Sequence, residues 1–300
     1  MKQRIPCPLC KTLDQQTVCT ISHRTIVSCK HDGLLFVNPP LSDREIQVMY
    51  NERYFDSDAF RGNTCIGYYA YIDEHPLLLS YFQNKITELE RLGLKGKLLE
   101  IGCGHGFFLE AAKKSKFTAI GIDISKYAVK YAQKTTKVDA RVMDLHKATF
   151  KKNTFAVVAA FQLIEHVQNP VTFLAAAHQL MKPGGTILLA TPDAGGYLHT
   201  LLGSHWLSFK HREHLFFFSR KTMKQTLEQA GFTDIRFYKD ETRWYPLRHI
   251  FGGIKYYLHG SFFVWLSDAL GKLGSYLHIL DLKLPLPLDT MIVTAKKSRT

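Results

Sequence analysis

The chain has 300 residues, enough to bury a substantial core without staples, and its 46% apolar and 22% charged content excludes a disordered or low-complexity protein. Thirty-nine Lys and Arg against 26 Asp and Glu leave a net charge of +13, which admits nucleic acid, an acidic lipid surface or a phosphorylated substrate without choosing among them. Six cysteines in a chain this long are no disulfide framework, no apolar run follows the basic start, and the most lipophilic stretch, Tyr256 to Ser267, is shorter than the roughly 20 residues of a spanning helix. The expectation is a reducing, cytoplasmic setting with no secretory signal and no transmembrane segment.

Residues 1–40 are Cys-bearing and rich in turns. Cys7-Pro-Leu-Cys10 has metal-knuckle spacing, and Cys29 is placed to be a third ligand. In a paired knuckle the fourth ligand falls on Asp32, with His31 beside it, and either can bind zinc. Asn38-Pro39-Pro40 stops any helix. A connector, 41–96, opens on the capping box Ser42-Asp43-Arg44-Glu45. It closes with a helix over Pro76 to Leu92, whose Leu79, Phe82, Ile86, Leu89 and Leu92 share a face.

From Lys97 the period changes. Strands are predicted at Leu98–Ile101, Thr118–Ile122, Ala140–Met143, Phe155–Phe161 and Thr186–Ala190. Helices alternate with them at Phe107–Lys114, Ser125–Lys134 and Val171–Met181, the last broken by Pro183-Gly184-Gly185. That alternation defines an α/β core over 97–243, a doubly wound, mostly parallel, Rossmann-like sheet with its ligand rim at the carboxyl ends of the strands. A Gly- and His-rich loop, a helix from Ser219 to Gly231 and a strand at Thr233–Tyr238 follow. A helical insert, 244–287, and a final strand and tail, 288–300, close the chain.

The chemistry centres on the glycine loop. A dinucleotide fingerprint would need glycine at Phe107, so that reading, and a nicotinamide oxidoreductase with it, fails. What stands is Gly102, Gly104 and Gly106, followed by Asp123 at the next strand end and Asp144 at the one after. Asp123 can accept both hydroxyls of a ribose, and Asp144 can accept from an exocyclic amine. A nucleoside without a pyrophosphate suits this set.

These residues resemble the class I S-adenosylmethionine-dependent methyltransferases. Leu98 to Gly106 matches that family's first motif, Ile122-Asp123-Ile124-Ser125 its second-strand motif, Ala156 to Pro170 its fourth, and Leu180 to Pro192 the region after it. The resemblance implies S-adenosylmethionine as cofactor, held by Glu100, Gly102, Cys103, Gly104, Gly106, Asp123, Ile124, Asp144, Leu145 and Gln162. It implies a small-molecule methyl acceptor, with a sugar, a quinone or a lipid intermediate among the options. His166 and His214 are the candidate catalytic bases, with Glu165, His205 and His211 behind them. Some members carry an amino-terminal zinc knuckle before a run like Gly33 to Pro39, which makes Cys7, Cys10, Cys29 and Asp32 a structural metal set.

A nucleic-acid methyltransferase is disfavoured, because no dense basic-aromatic patch is present and Asn38-Pro39-Pro40 continues into Leu41, not Tyr. A non-catalytic binding module is the remaining rival, and the oligomeric state stays open. In the insert, Phe262, Leu266, Leu270, Leu273, Leu277 and Leu280 form one apolar helix face. It reads as a lid over the acceptor pocket. The competing reading is a helix lying on a membrane surface, anchored by Trp265, Tyr256 and Tyr257.

Overall fold

The computed structural model describes residues 4–21, 23–42, 44–46, 54, 71–241, 243–248, 250–251, 261–286 and 289–299. Three short strands come first: β1 (Gln15–Ile21), β2 (Arg24–Cys29) and β3 (Leu35–Val37). Helix α1 (His75–Arg91) leads to β4 (Gly96–Ile101), α2 (Phe107–Ala112), β5 (Phe117–Asp123), α3 (Lys126–Tyr131) and β6 (Ala140–Val142). Then come β7 (Phe155–Phe161), α4 (Pro170–Leu180), β8 (Met181–Pro192), α5 (Tyr197–Leu202), β9 (Phe216–Phe217), α6 (Arg220–Gln229) and β10 (Phe232–Lys239). The chain ends with β11 (Arg243–Pro246), α7 (Ser261–Tyr276), β12 (Lys283–Leu286) and β13 (Thr290–Lys297).

Seven strands form the central sheet in the order β10-β13-β8-β7-β4-β5-β6. The run from β8 to β6 is parallel, while β13 lies antiparallel to both β8 and β10. The chain winds outward from β4 through β5 and β6, then returns to the other side of β4 as β7. The crevice beyond the carboxyl ends of β4 and β7 is therefore the point where winding reverses, and ligands bind there in such sheets.

Both faces of this sheet are covered, which explains why its strands are apolar without alternation. Leu99, Val158 and Leu189 point to one face, under α4, α6 and the amino-terminal strands. Their neighbours Leu98, Val157 and Leu188 point to the other, under α1 and α2. The period of two is hidden because each face has its own core.

Some elements depart from expectation. The buried face of α1 is Leu78, Tyr81, Phe82, Lys85, Ile86 and Leu89; Leu79 is half-buried and Leu92 exposed. Tyr81 turns inward because its hydroxyl donates to Asp240 at 2.9 Å, and the Lys85 ammonium follows it toward Asp240 and Glu241. Pro183-Gly184-Gly185 does not precede β8 but lies within it, the irregular register against β7 taking up the strain. The helix expected over Ser125–Lys134 is α3 followed by a wider turn at Ala132–Thr136.

The amino-terminal strands form a four-stranded antiparallel sheet, β1-β2-β3-β9, whose fourth member comes from the far end of the core. Buried Arg24 of β2 fastens the same region. Its Nη1 donates to the carbonyls of Arg212 and His214, and its Nη2 to those of Phe209 and His211, all at 2.9–3.2 Å. In the insert, β11 and β12 pair antiparallel around α7, and the Ser267 hydroxyl donates to the Phe251 carbonyl at 2.7 Å. The face expected to be covered is half open: Phe262, Leu273 and Leu277 are exposed, while Leu266, Leu270 and Leu280 are half-buried. Tyr256 and Tyr257 lie outside the described residues. Among the described residues, no helix is long and apolar enough to cross a membrane.

Candidate functional site

A cavity of about 460 Å³ opens at the reversal point between β4 and β7. Glu100 sits one residue before the end of β4, and the chain then turns at Gly102, whose φ is +72°. A Cβ there would press on the Leu163 side chain at 2.9 Å, so glycine is required by backbone and by space. The Gly104 N–H donates to Asp123 Oδ2 at 2.9 Å, and the Ser125 N–H donates to Oδ1 at 2.8 Å. Asp123 thus ties the glycine loop to the start of α3. Beyond β6, Asp144 Oδ1 accepts from the His146 N–H at 2.8 Å.

Three carboxyl groups consequently meet one cavity from the ends of three adjacent strands, since Glu100, Asp123 and Asp144 all line it. Gly102, Gly104, Ile124, Leu145 and Gln162 line it as well. Burial, together with the neighbouring Asp123 charge, pushes the Glu100 carboxyl well above its usual range. Burial also raises Asp123, against the opposing pull of its backbone donors. Glu100 Oε2 is buried with no hydrogen-bond partner. Such a set calls for a cation. S-adenosylmethionine carries two positive centres, an ammonium and a sulfonium, and the residues present fit it.

Two of the expected cofactor residues face elsewhere. Cys103 is buried with Leu109, Val129, Ala132 and Ala140, its Sγ against Gly121. Gly106 caps α2 with φ +79°, and a Cβ there would meet Val138 Cγ2 at 2.6 Å. Both shape the loop without lining the cavity. The opposite wall is apolar: Tyr54, Tyr71, Phe82, Phe161 and Phe173. Phe161 lies within the fourth motif without being singled out, and the others escaped the motif reading because they come from the connector, α1 and α4; the aromatic content of the connector was the available signal.

His166 lines the cavity, whereas His214 stands behind it, the ring centroids 5.0 Å apart. His214 is not among the residues that line the cavity. Burial lowers the His166 pKa to about 4 and takes His214 well below its usual value, so both rings are neutral. His211 stacks on His214 with centroids 4.8 Å apart and pairs with Glu213 at 3.5 Å. Glu165 is buried, accepts from the Thr191 hydroxyl at 2.9 Å, and is raised by burial to about 8. His205 is exposed.

At the amino terminus, Cys7, Cys10, Cys29 and Asp32 bring one ligand atom each within 4.8 Å of the others. Cys7 Sγ lies 3.1 Å from Asp32 Oδ2, and Cys10 Sγ 3.4 Å from Cys29 Sγ. Asp32, held by the Leu34 N–H, occupies the fourth position; His31 is exposed and outside the cluster. The chemistry of this donor set, three thiols and a carboxylate at tetrahedral scale, fits zinc.

Fold and cavity together define a class, the nucleoside-binding transferases built on a doubly wound sheet. The chain belongs to the methyltransferase domain family, whose model matches residues 74–236. It is 31% identical over 127 residues to a ubiquinone biosynthesis O-methyltransferase of Pseudomonas aeruginosa, covering 39% of this chain and 55% of that protein. To the Coxiella burnetii protein of the same name it is 28% identical over 141 residues, 44% of this chain and 58% of the other. The chain thus spans just over half the length of these relatives. Among solved structures, it is similar in fold to a SAM-dependent methyltransferase of Thermotoga maritima, with a TM-score of 0.53, 15% identity, and coverage of 83% of this chain and 100% of that one. Phosphoethanolamine N-methyltransferase 2 of Haemonchus contortus, in complex with S-adenosyl-L-methionine, gives a TM-score of 0.50 at 18% identity, covering 88% and 62%.

Proposed function

We propose that this protein transfers the methyl group of S-adenosylmethionine to a small, largely apolar acceptor carrying a hydroxyl, of the quinone-precursor kind. The observation that carries the reading is the convergence of Glu100, Asp123 and Asp144 on one cavity beside Gly102 and Gly104. When bound, the cofactor supplies a methyl carbon activated by a positive sulfur. The chain's own residues bind the nucleoside and the ammonium, align the acceptor against the aromatic wall, and exclude water. His166, neutral and on the cavity wall, is the group placed to take a proton from an acceptor hydroxyl. The names of the relatives support an oxygen acceptor.

Two further parts belong to the same reading. Cys7, Cys10, Cys29 and Asp32 hold one structural zinc ion that fixes the turns flanking β1 and β2. The exposed apolar face of α7 rests on a lipid surface, which brings the protein to a lipophilic acceptor.

Calorimetry with S-adenosylhomocysteine and NAD tests the cofactor assignment. The nucleoside product binds and NAD does not. Asp123→Ala loses about 1.5–3 kcal/mol of that binding, a charge-assisted acceptor being removed. Unchanged affinity in the variant, or preference for NAD, rejects the assignment.

A further inference from the structure

Behind the cavity wall lies a second donor cluster, separate from the cysteines. Glu165, His166 and His214 are all buried, and each brings one ligand atom within 4.8 Å of the other two. We propose that these three residues form a divalent transition-metal site at the acceptor end of the cavity, with an open position facing the cavity on the His166 side. The donor set, two imidazoles and one carboxylate, suits zinc and its first-row neighbours rather than magnesium or calcium.

Geometry and hydrogen bonding support this independently. Glu165 Oε1 and His214 Nδ1 are both buried without a hydrogen-bond partner. Leaving a buried polar atom unmatched costs about 1–3 kcal/mol, and an ion between Glu165 Oε1 and His214 Nδ1 would satisfy both at once. The other half of each group is already held. Glu165 Oε2 accepts from the Thr191 hydroxyl at 2.9 Å, and the Ser208 backbone holds the His214 ring, whose Nδ1 has no hydrogen-bond partner. Outer partners that fix one side of a ligand and aim the other are what metal-binding imidazoles and carboxylates use. The supporting frame is stiff: the Leu215 N–H donates to the Glu165 carbonyl at 2.8 Å, and the Val37 N–H to the Leu215 carbonyl at 2.9 Å.

Some closure is needed. Glu165 Oε1 and His166 Nε2 stand 3.9 Å apart, whereas ligands of a tetrahedral zinc are about 3.3 Å from one another. No pair in the set is more than 4.8 Å apart, so shifts of roughly 0.5–1.5 Å close it. The nearby Glu213 carboxyl, paired with His211, adds negative potential that offsets the Arg24 guanidinium, whose donors are directed at backbone carbonyls. A cation there would use the His166 lone pair and take over its part, holding an acceptor oxygen and favouring its ionised form, a role that rests on the methyl-transfer reading. Binding of the ion does not rest on it, so the test reads binding alone.

Full-length protein, stripped with chelator, is titrated with cobalt(II) and followed by absorption and by equilibrium dialysis. The expected result is one equivalent of cobalt with ligand-field bands but no thiolate charge-transfer band, beside any thiolate-bound equivalent at the cysteines. That component persists in Cys10→Ser/Cys29→Ser and disappears in Glu165→Gln and in His214→Gln. Thr191→Val, which keeps all three ligands, weakens it by about 10–100-fold. Cobalt bound only as a thiolate complex overturns the proposal. So does nitrogen- and oxygen-ligated cobalt undiminished in a folded Glu165→Gln or Thr191→Val protein. Failure here leaves the cofactor calorimetry untouched, and the two readings fail separately.

Discussion

His105 is fully buried within the glycine loop, its ring 4.2 Å from that of Tyr131 and 5.3 Å from that of Tyr71. Burial among those rings lowers its pKa to about 4. In the unfolded chain the value returns to about 6.5, so the unfolded state binds a proton first as pH falls. The associated stability is fully present above pH 6.5 and is lost progressively as pH drops through about 4, with a slope approaching 1.4 kcal/mol per pH unit. Denaturant titrations at pH 7, 5.5 and 4.5 should therefore fall less steeply for His105→Phe than for the native chain. The comparison isolates His105 from His166 and His214, whose depressed values act with the same sign. Equal slopes would show that His105 has no part in acid sensitivity.

Arg24 matters because a single planar fork on β2 holds four carbonyls of the segment before β9. Burial lowers its pKa to about 10, still well above neutrality, so the fork stays charged. Arg24→Lys keeps the charge but presents a point donor in place of two aligned pairs. Limited proteolysis should then cut faster within residues 203–212, while S-adenosylhomocysteine affinity, set by the other end of the cavity, changes little. Unaltered cleavage would mean that the segment holds itself. Elements differ in how far they are readable from sequence in the same way. β4, the glycine loop, β5 and the Asp123 and Asp144 positions follow from local period and from turn chemistry, because each is fixed by neighbours within a few residues. Leu78 and Tyr81 of α1 were missed because Asp240, 159 residues beyond Tyr81, decides which way the helix faces. The burial of His214 was not legible for the same reason: it depends on Arg24 and on β9 docking, which no local pattern encodes. The Phe216-Phe217 strand was not predicted, because a two-residue strand has no period at all.

At the scale of the molecule, the proposed lipid-surface role would draw on both the excess of +13 and the exposed residues of α7. Trp265 is 64% and Tyr276 81% exposed, an aromatic surface with no cover among the described residues. None of the described residues of 244–287 lines the cavity. Co-sedimentation with anionic phospholipid vesicles should carry the native protein down, and Phe262→Ser/Trp265→Ser should leave it in the supernatant. Equal partition of both proteins removes the lipid surface from the account. The borrowed strand has a consequence in time as well as in space. β3 pairs with β9 through Phe36 and Phe216, 180 residues apart in the chain. At ribosomal rates of about 5–20 residues per second, the first sheet waits on the order of ten to forty seconds for its last strand. Throughout that interval β3 presents an unpaired edge of Leu35, Phe36 and Val37, so nascent chains are most exposed to mispairing with one another before the second half of the polypeptide has emerged.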